Sequence, residues 1–336
     1  MPTARTWPLL LLLLALPLLA AQRTYPLRYR FVAAQTLSYE TRTSVSGRIT
    51  MKGQGTEQRA LPVALELTDR LHLRISQVKE DGSAWLTAQL QQLQMSSSGV
   101  GGGLVFEVAA EADGVRVRSG NRNWLVSREA PGEVAPIVAG FSTTDAALLT
   151  EPAKLLVAPS GRLLEKQGKL WHERLAGVAV MGPLAPLLQP FGTGLPELPG
   201  QALATGQSWE QEREMPLPGG ERTYPVTVIS ELGPSETIGP YQTVGIDFEG
   251  SARLADQPLA FEPAPGVVIP MTLKTLNHDL RGRTALDAER GRLVEQHLVS
   301  QVQVTSDGQL VGPFTIEADI TTESTMLLLA AEEPAP

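Results

Sequence analysis

The sequence contains no cysteine among its 336 residues, and aromatic residues make up only 5% of the chain. The absence of cysteine excludes disulfides, thiolate metal sites and cysteine nucleophiles. No Asn-x-Ser/Thr sequence is present either, so the chain has no acceptor for N-glycosylation. These absences remove several classes of secreted protein and enzyme from consideration.

Long apolar runs are also absent, except at the N-terminus, which reads MPTARTWPLLLLLLALPLLAAQ. Arg5 precedes an apolar run over 7–19, and the small residues Ala20 and Ala21 follow, as in a secretory signal. The run is shorter than the roughly 20 apolar residues of a membrane span. We therefore expect a signal peptide at 1–21, cleaved after Ala20 or Ala21, with an uncleaved anchor as the alternative.

The expected signal predicts export to the periplasm or the cell exterior, with no transmembrane segment in the mature chain. A long exported chain without cysteine is more typical of a bacterial envelope than of eukaryotic secretion, where disulfides are common. Without 1–21 the chain carries 27 basic and 36 acidic residues, a net charge of −9. This negative charge disfavours nucleic acid and anionic membrane surfaces as partners.

Alternation of apolar and polar residues dominates the N-terminal part, which we assign to one β module over 22–128. In DRLHLRISQV (69–78), leucine and isoleucine at odd positions alternate with charged residues at even positions. This period of two is typical of half-buried antiparallel strands. Turn residues in KEDGS (79–83) and AEADGVR (110–116) predict hairpins between such strands.

A change of parity interrupts this alternation. The apolar residues Leu86, Ala88 and Leu90 stand at even positions, whereas the apolar residues Leu93 and Met95 stand at odd positions. Because a shift of one residue would move every following side chain to the opposite face, we predict a β-bulge near Gln91–Gln92. The glycine-rich SSSGVGGG (96–103) then predicts a flexible connection.

The middle of the chain, 129–206, has a different pattern. Pro159-Ser160-Gly161 predicts the turn of a hairpin, and proline and glycine are frequent toward 206, which favours a crossover segment. Between them WHERLAGVAVMG predicts a helix that ends at Gly182-Pro183. An apolar stripe runs along this helix at near-helical spacing, formed by Trp171, Leu175, Val178 and Met181.

From Trp209 the strand pattern returns and predicts a second antiparallel module over 207–330, followed by a disordered tail at 331–336. Gly206 provides the last turn before this module, and Trp209 is expected to anchor it by burial. The fold class predicted is therefore mainly β (α+β), with two curved antiparallel β-sheet modules and a helical segment between them. Residue-level identity between the modules does not establish a repeat.

Several short motifs resemble a family of uncharacterised exported bacterial β-proteins that carry a domain of unknown function. They are LRYRF at 27–31, Pro159-Ser160-Gly161, the helical stretch 171–190, Leu195-Pro196, and Gly206-Gln207-Ser208-Trp209. The resemblance covers most of the mature chain and implies no reaction or ligand. The pattern is also distantly similar to the lipoprotein-carrier type of fold, in which a curved antiparallel sheet wraps over a helix.

Catalytic and metal-binding motifs are weak. The four histidines have no spacing typical of a metal site, and no Gly-x-Ser-x-Gly sequence occurs. His278-Asp279 with Asp247 and Glu249 is the one mixed cluster that neighbouring strands could gather. We expect no metal and no cofactor. Glu210, Glu212 and Glu214 follow Trp209 at strand spacing, which favours one exposed strand face over a sugar-binding strip.

Three hypotheses of function remain. The first is a non-enzymatic binder of an apolar or lipid-like ligand, with a lipid or lipidated protein as partner and Trp171, Leu175, Val178, Met181 and Trp209 as ligand-binding residues. The second is a structural or interaction component of the envelope that pairs a partner through a sheet edge. The third is a hydrolase, which requires His278, Asp279 and Asp247 to converge.

Overall fold

The computed structural model describes the chain in several stretches: 23–53, 59–99, 104–111, 114–127, 137–138, 141–142, 148–176, 195–217, 222–264, 267–309 and 312–332. Of the residues that the structure describes, 77% are in strands and 2% in helix, which confirms the predicted mainly β fold. The predicted signal peptide at 1–21 lies outside the described residues.

Antiparallel strands follow one another along the described chain. Their bounds are β1 (Thr24–Pro26), β2 (Thr36–Gly53), β3 (Arg59–Val78), β4 (Ala84–Gly99), β5 (Leu104–Ala110), β6 (Gly114–Ser119), β7 (Arg122–Ser127), β8 (Ile137–Val138), β9 (Phe141–Ser142), β10 (Ala153–Val157), β11 (Leu163–Gln167), β12 (Ala202–Ala204), β13 (Ser208–Pro216), β14 (Thr223–Ile238), β15 (Tyr241–Ala264), β16 (Val267–Asp287), β17 (Arg292–Gln309) and β18 (Pro313–Glu332). A helix of six residues, α1 (Trp171–Ala176), lies between β11 and β12.

One large sheet unites the strands of both predicted modules. Its order is β13-β14-β15-β16-β17-β18-β2-β3-β4-β5-β6-β7, and the hairpin β10–β11 pairs with the free side of β4. The last strand of the chain, β18, pairs along its length with β2, so that Val45 lies opposite Thr322. The sheet is not closed, because β13 and β7 form its two ends.

Period-two alternation gives this sheet two chemically different faces. On β2, Leu37, Tyr39 and Val45 point to a face that we call the apolar face and are buried. Arg42 and Arg48 point to the opposite face, which we call the polar face, and are exposed. Because registers are kept from strand to strand, the same division extends from β13 to β4.

The local predictions have mixed outcomes. Arg70 pairs with Gln92 and Leu71 with Leu90, so Gln91 is the extra residue of the predicted bulge, which is confirmed. The turns at 79–83, 110–116 and 159–161 also join paired strands as predicted.

Two other predictions are corrected. Residues 96–99 belong to β4 and are not part of a flexible connection, because their backbone pairs with β3 over 63–66. Ala331 and Glu332, assigned to a disordered tail, pair with Leu37 and Thr36 at the end of β18. Residues 333–336 lie outside the described residues.

Three clusters of buried side chains lie along the apolar face. The base cluster includes Leu27, Tyr39, Leu73, Leu155, Leu195, Leu286 and Leu328. The N-terminal cluster includes Val45, Leu65, Leu93, Val117 and Leu149. The C-terminal cluster includes Val226, Val228, Phe248, Leu276 and Leu280. Among the described residues, only the base cluster combines strands of both predicted modules with the segments 27–29, 153–157 and 195–203.

The segments at the base cluster are fixed by specific contacts. Tyr29 donates a hydrogen bond from its hydroxyl to the carbonyl oxygen of Pro196 at 2.9 Å. Gly161, in the turn between β10 and β11, has a φ of 88°. A Cβ at Gly161 would lie 2.6 Å from the Pro196 oxygen and 2.7 Å from the Tyr29 ring. The turn therefore requires glycine both for its backbone conformation and for this close approach.

The helix α1 is short and begins close to the β10–β11 hairpin. Glu173 accepts a hydrogen bond from the backbone N–H of Leu170 at 2.8 Å and forms an ion pair with Lys166 of β11. The hydrogen bond that the Leu170 N–H donates to the Glu173 carboxylate caps the N-terminus of the helix. Over the described part of the chain, no helix has the length and apolar composition that a membrane crossing needs.

Substitution of Gly161 tests how tightly the hairpin packs on the base cluster. Gly161→Ala is expected to lower the free energy of unfolding by about 2–4 kcal/mol, from left-handed strain plus overpacking against Tyr29 and Pro196. Gly200→Ala is the matched control, since Gly200 also has a positive φ, 72°, but nothing lies within 4 Å of its Cβ position. Urea denaturation of both variants measures the difference, and equal losses would contradict the packing described.

Candidate functional site

The five predicted ligand-binding residues lie in the following places. Trp171 is the first residue of α1 and is half-buried. Leu175 belongs to α1, while Val178 and Met181 lie outside the described residues. Trp209 lies on β13 and is half-buried, on the apolar face.

The fold brings Trp171 and Trp209 to the same part of the molecule. Both indoles pack against the base cluster, although 38 positions separate them in sequence. Trp171 also contacts the N-terminal cluster and lies edge-to-face with His172, with ring centroids 5.7 Å apart. The predicted role of these residues in ligand binding stays a prediction.

The apolar side of β13 carries three buried polar atoms, on Trp209 and on two residues that sequence analysis missed, Gln211 and Arg213. Trp209 Nε1, Gln211 Oε1 and Arg213 Nε are shielded from solvent and have no hydrogen-bond partner. Each unpaired buried polar atom costs about 1–3 kcal/mol of stability. The three residues lie at i, i+2 and i+4 of one strand, so their side chains leave the backbone on the same face.

Arg213 is the charged member of this group. Its guanidinium lies over the ring of Phe248, with 5.9 Å from Cζ to the ring centroid. Burial lowers the pKa of Arg213, while Glu197 and Tyr29 act in the opposite direction through their charges. Within the described part of the chain, no carboxylate lies within ion-pair distance of this guanidinium. Arg213 is thus a cation held mostly by an aromatic ring and by apolar surroundings.

The opposite side of β13 has ordinary surface chemistry. Glu210, Glu212 and Glu214 are all exposed, which confirms the prediction of one solvated strand face. Since Trp209 lies on the apolar face, it does not combine with these glutamates into a sugar-binding strip.

A buried chain of hydrogen bonds crosses three strands of the apolar face. Tyr224 Oη lies 2.8 Å from His278 Nδ1, and His278 Nε2 lies 2.9 Å from Ser300 Oγ. Burial lowers the pKa of His278 and raises that of Tyr224 to about 12. The imidazole is therefore neutral at pH 7, and both of its nitrogens have partners.

The mixed cluster required for the hydrolase hypothesis does not form. His278 is buried on the apolar face, whereas Asp279 and Asp247 lie on the polar face. Asp279 pairs with Arg253 at 2.7 Å, and Asp247 lies 3.7 Å from Arg283. Consecutive residues of a strand point to opposite faces, so a His-Asp dipeptide on a strand cannot gather at one site.

Asp69 is a second ionisable group on the apolar face, and it is 4% exposed. Burial raises the pKa of Asp69 to about 8, with a smaller contribution from the charge of Glu40, and a hydrogen bond with Thr41 opposes the shift. Thr43 and Ser324 lie beside it across the β2–β18 junction, with 3.0 Å between their hydroxyl oxygens. The apolar face is therefore crossed by neutral polar groups near its middle.

Beyond these groups the apolar face continues toward one end of the strands. One row of facing residues there runs from β15 to β2 as Leu254, Leu276, Val304, Ala318 and Ile49. Leu276 is fully buried, but the other four members are only half-buried. The adjoining rows add Ile316, Phe314, Leu259 and Met51, and Met51 is 43% exposed. This end of the face, which we call the open end, contrasts with the covered base cluster.

Three open depressions on the polar face are lined by described residues. The largest of these three, about 580 Å³, is lined by residues that include Thr227, Glu249, Arg281 and Gln301. The others measure about 430 Å³ and 300 Å³. In the depression of about 430 Å³, Glu40 forms ion pairs with Arg42 and Arg70. Their polar linings do not suit an apolar ligand.

Comparison with known proteins gives little sequence relationship. No protein-family model matches the chain, and no curated protein matches it. The resemblance to an exported bacterial β-protein family therefore stays a prediction.

Solved structures with a similar strand arrangement have low similarity scores. Lipovitellin, in a structure concerned with its lipid–protein interactions, has 8% identity and a TM-score of 0.41. That match covers 91% of this chain but 26% of the lipovitellin chain. OccK11 (OpdR) of Pseudomonas aeruginosa has 10% identity and a TM-score of 0.22, covering 90% of this chain and 100% of that one. OccK2 (OpdF) of the same organism, in complex with glucuronate, has 9% identity and a TM-score of 0.19, covering 89% and 99%.

The buried Asp69 predicts a pH dependence of stability. Between about pH 4 and pH 8 the folded protein keeps a proton on Asp69 that the unfolded chain has released. Stability therefore falls as the pH rises through this window, and the loss is complete above the folded pKa. Asp69→Asn removes this contribution, so the variant should gain stability relative to the wild type from pH 5 to pH 8.

Urea denaturation at a series of pH values measures this difference. Glu66→Gln is the control, since Glu66 lies on the same strand but is exposed on the polar face. It should follow the wild-type profile. A constant difference between Asp69→Asn and wild type across the window would mean that Asp69 is ionised in the folded state.

Proposed function

We propose that this chain is an exported cell-envelope protein that binds an apolar or lipid-like ligand on the apolar face of its sheet and has no enzymatic activity. The observation that supports the proposal is the open end of that face. There, apolar side chains on five neighbouring strands form one continuous surface, half-buried on β15, β17, β18 and β2 and buried on β16. Contiguous apolar surfaces of this kind are typical of ligand or partner sites.

The dimensions of the open end suit a hydrocarbon chain. Five strands at a spacing of about 4.8 Å give a width of about 19 Å. Three rows of side chains, about 6.8 Å apart along the strands, add about 14 Å in the other direction. The rows contain branched and aliphatic side chains, and polar groups are few: the polar members of the middle row are Ser306, which is buried, and Gln257, which is half-buried.

Export belongs to the proposal because a lipid binder in the envelope needs a route through the cytoplasmic membrane. The apolar run at 7–19, preceded by Arg5, supports it. The ligand could be a free lipid or the lipid group of a modified protein, since both present the same hydrocarbon chemistry.

Native mass spectrometry tests whether such a ligand is bound. The mature protein, residues 22–336, is recovered from an expressing periplasm and measured before and after organic extraction. We expect a reproducible additional mass that extracts as lipid. A bare polypeptide mass that stays unchanged after incubation with lipid extract would overturn the proposal and favour an interaction component of the envelope.

A charge placed in the open end should abolish this binding. Val304→Glu places a carboxylate at the centre of the row that runs from Leu254 to Ile49, where contact with a hydrocarbon chain would desolvate it. We expect the extracted lipid to fall about tenfold or more. Gln303→Glu is the matched control, because Gln303 is the neighbouring residue of β17 and is exposed on the polar face.

Thermal unfolding establishes that both variants are folded before lipid is measured. Loss of lipid in Gln303→Glu alone, or equal lipid in Val304→Glu and wild type, would locate the ligand away from the open end.

A further inference from the structure

The unpaired polar atoms of β13 are the strongest unexplained feature of the molecule. They belong to three residues in a row on one face, and they come from an indole, an amide and a guanidinium. Buried polar side chains in folded proteins normally have hydrogen-bond partners. Three consecutive exceptions on one strand face indicate a place where a partner outside the chain is bound.

The chemistry of the three groups defines that partner. Trp209 Nε1 is only a donor, and the Arg213 guanidinium has only donors and is permanently charged. The unpaired atom of Gln211 is its amide oxygen Oε1, which only accepts a hydrogen bond and therefore does not complement an anion. The complement of two donor groups and one positive charge is an anion with several acceptor oxygens, such as a carboxylate or a phosphate.

The surroundings of the three groups are apolar. Their paired residues on β14 are, in the same order, Ser230, Val228 and Val226. Both valines are fully buried. The next strand, β15, adds Phe248 under the guanidinium and Gly250, which has no side chain. An anion at this place would therefore have hydrocarbon next to it, which suits an amphiphile better than a free inorganic ion.

The position on the sheet is consistent with this partner. β13 is the end strand of the large sheet, so its outer backbone edge is unpaired in the sheet order. The C-terminal cluster lies between β13 and the open end of the apolar face. A head group at β13 can thus continue into a hydrocarbon chain that runs over neighbouring strands toward Leu254 and Val304.

We propose that Trp209 and Arg213 bind the anionic head group, carboxylate or phosphate, of the lipid whose hydrocarbon part lies on the apolar face. This inference rests on the proposed function and names the chemical class of its ligand. Arg213 supplies the positive charge, Trp209 supplies an N–H donor, and Phe248 holds the guanidinium in place. Glu197 is near enough to raise the pKa of Arg213, but it accepts no hydrogen bond from Arg213 Nε.

Binding of two amphiphiles that share one hydrocarbon chain tests the head-group preference. Isothermal titration calorimetry on the mature protein, freed of bound lipid, compares palmitate with hexadecanol. We expect palmitate to bind about tenfold more tightly or better, because charge-assisted hydrogen bonds are stronger than neutral ones. Phosphatidic acid in a third titration distinguishes a phosphate head group from a carboxylate.

Substitution of Arg213 should remove the preference and keep the hydrocarbon contribution. In Arg213→Gln, palmitate is expected to bind no better than hexadecanol, while hexadecanol binds as in wild type. Arg281→Gln is the matched control, since Arg281 is exposed on the polar face, and it should keep the full preference. Trp209→Phe removes only the indole donor and should reduce the preference by a smaller factor, which provides a second test if Arg213→Gln does not fold.

The outcomes separate the inference from the proposal on which it rests. If palmitate, hexadecanol and phosphatidic acid all fail to bind, the proposed function is wrong. If palmitate and hexadecanol bind equally to wild type, or if Arg213→Gln keeps the preference, the apolar ligand stands and the head-group site is wrong. In that case the three polar atoms are satisfied by water alone.

Discussion

The pairing of β18 with β2 is the constraint on which the rest of the structure depends. These strands come from opposite ends of the chain, and their contacts join residues such as Thr43 and Ser324, which are 281 positions apart. Through this junction one continuous series of antiparallel pairs, with bulges, extends from β13 to β7. Since side chains alternate along each strand and the pairs keep apolar residues opposite one another, this pairing gives one apolar face and one polar face. The two halves of the sequence therefore share a surface that neither forms alone.

Coverage of the apolar face is uneven, and this determines where a ligand can bind. At the base cluster the segments around Leu27, Leu155 and Leu195 bury the face, and Tyr29 fixes the first and last of them to each other. Glycine at 161 allows the β10–β11 turn to approach that contact. Toward the open end, by contrast, large apolar side chains stay half-buried. Between these regions lie buried polar groups, among them His278 and Asp69, which are neutral at pH 7 because burial disfavours their charged forms.

The end strand β13 combines two chemical environments. Its polar side carries three exposed glutamates, which protect an unpaired sheet edge against pairing with another chain. Its apolar side carries an arginine, an amide and an indole with unpaired atoms. Arg213 is half-buried, and its shielded Nε costs stability because it has no hydrogen-bond partner. The proposed anionic head group would supply that partner.

Local features of this protein were determined by the sequence itself. Alternation with period two specified the strands, the parity change located the bulge at Gln91, and turn residues placed the hairpins, because each depends on neighbours within a few positions. The sequence also singled out Trp171 and Trp209, which share a cluster in the fold, and it did not single out Gln211 or Arg213. Tertiary structure alone decided that β18 meets β2, that His278 and Asp279 are separated by the sheet, and that Arg213 faces Phe248. These outcomes depend on pairing between distant strands, and an alternating pattern contains no information about which distant strand will be the neighbour.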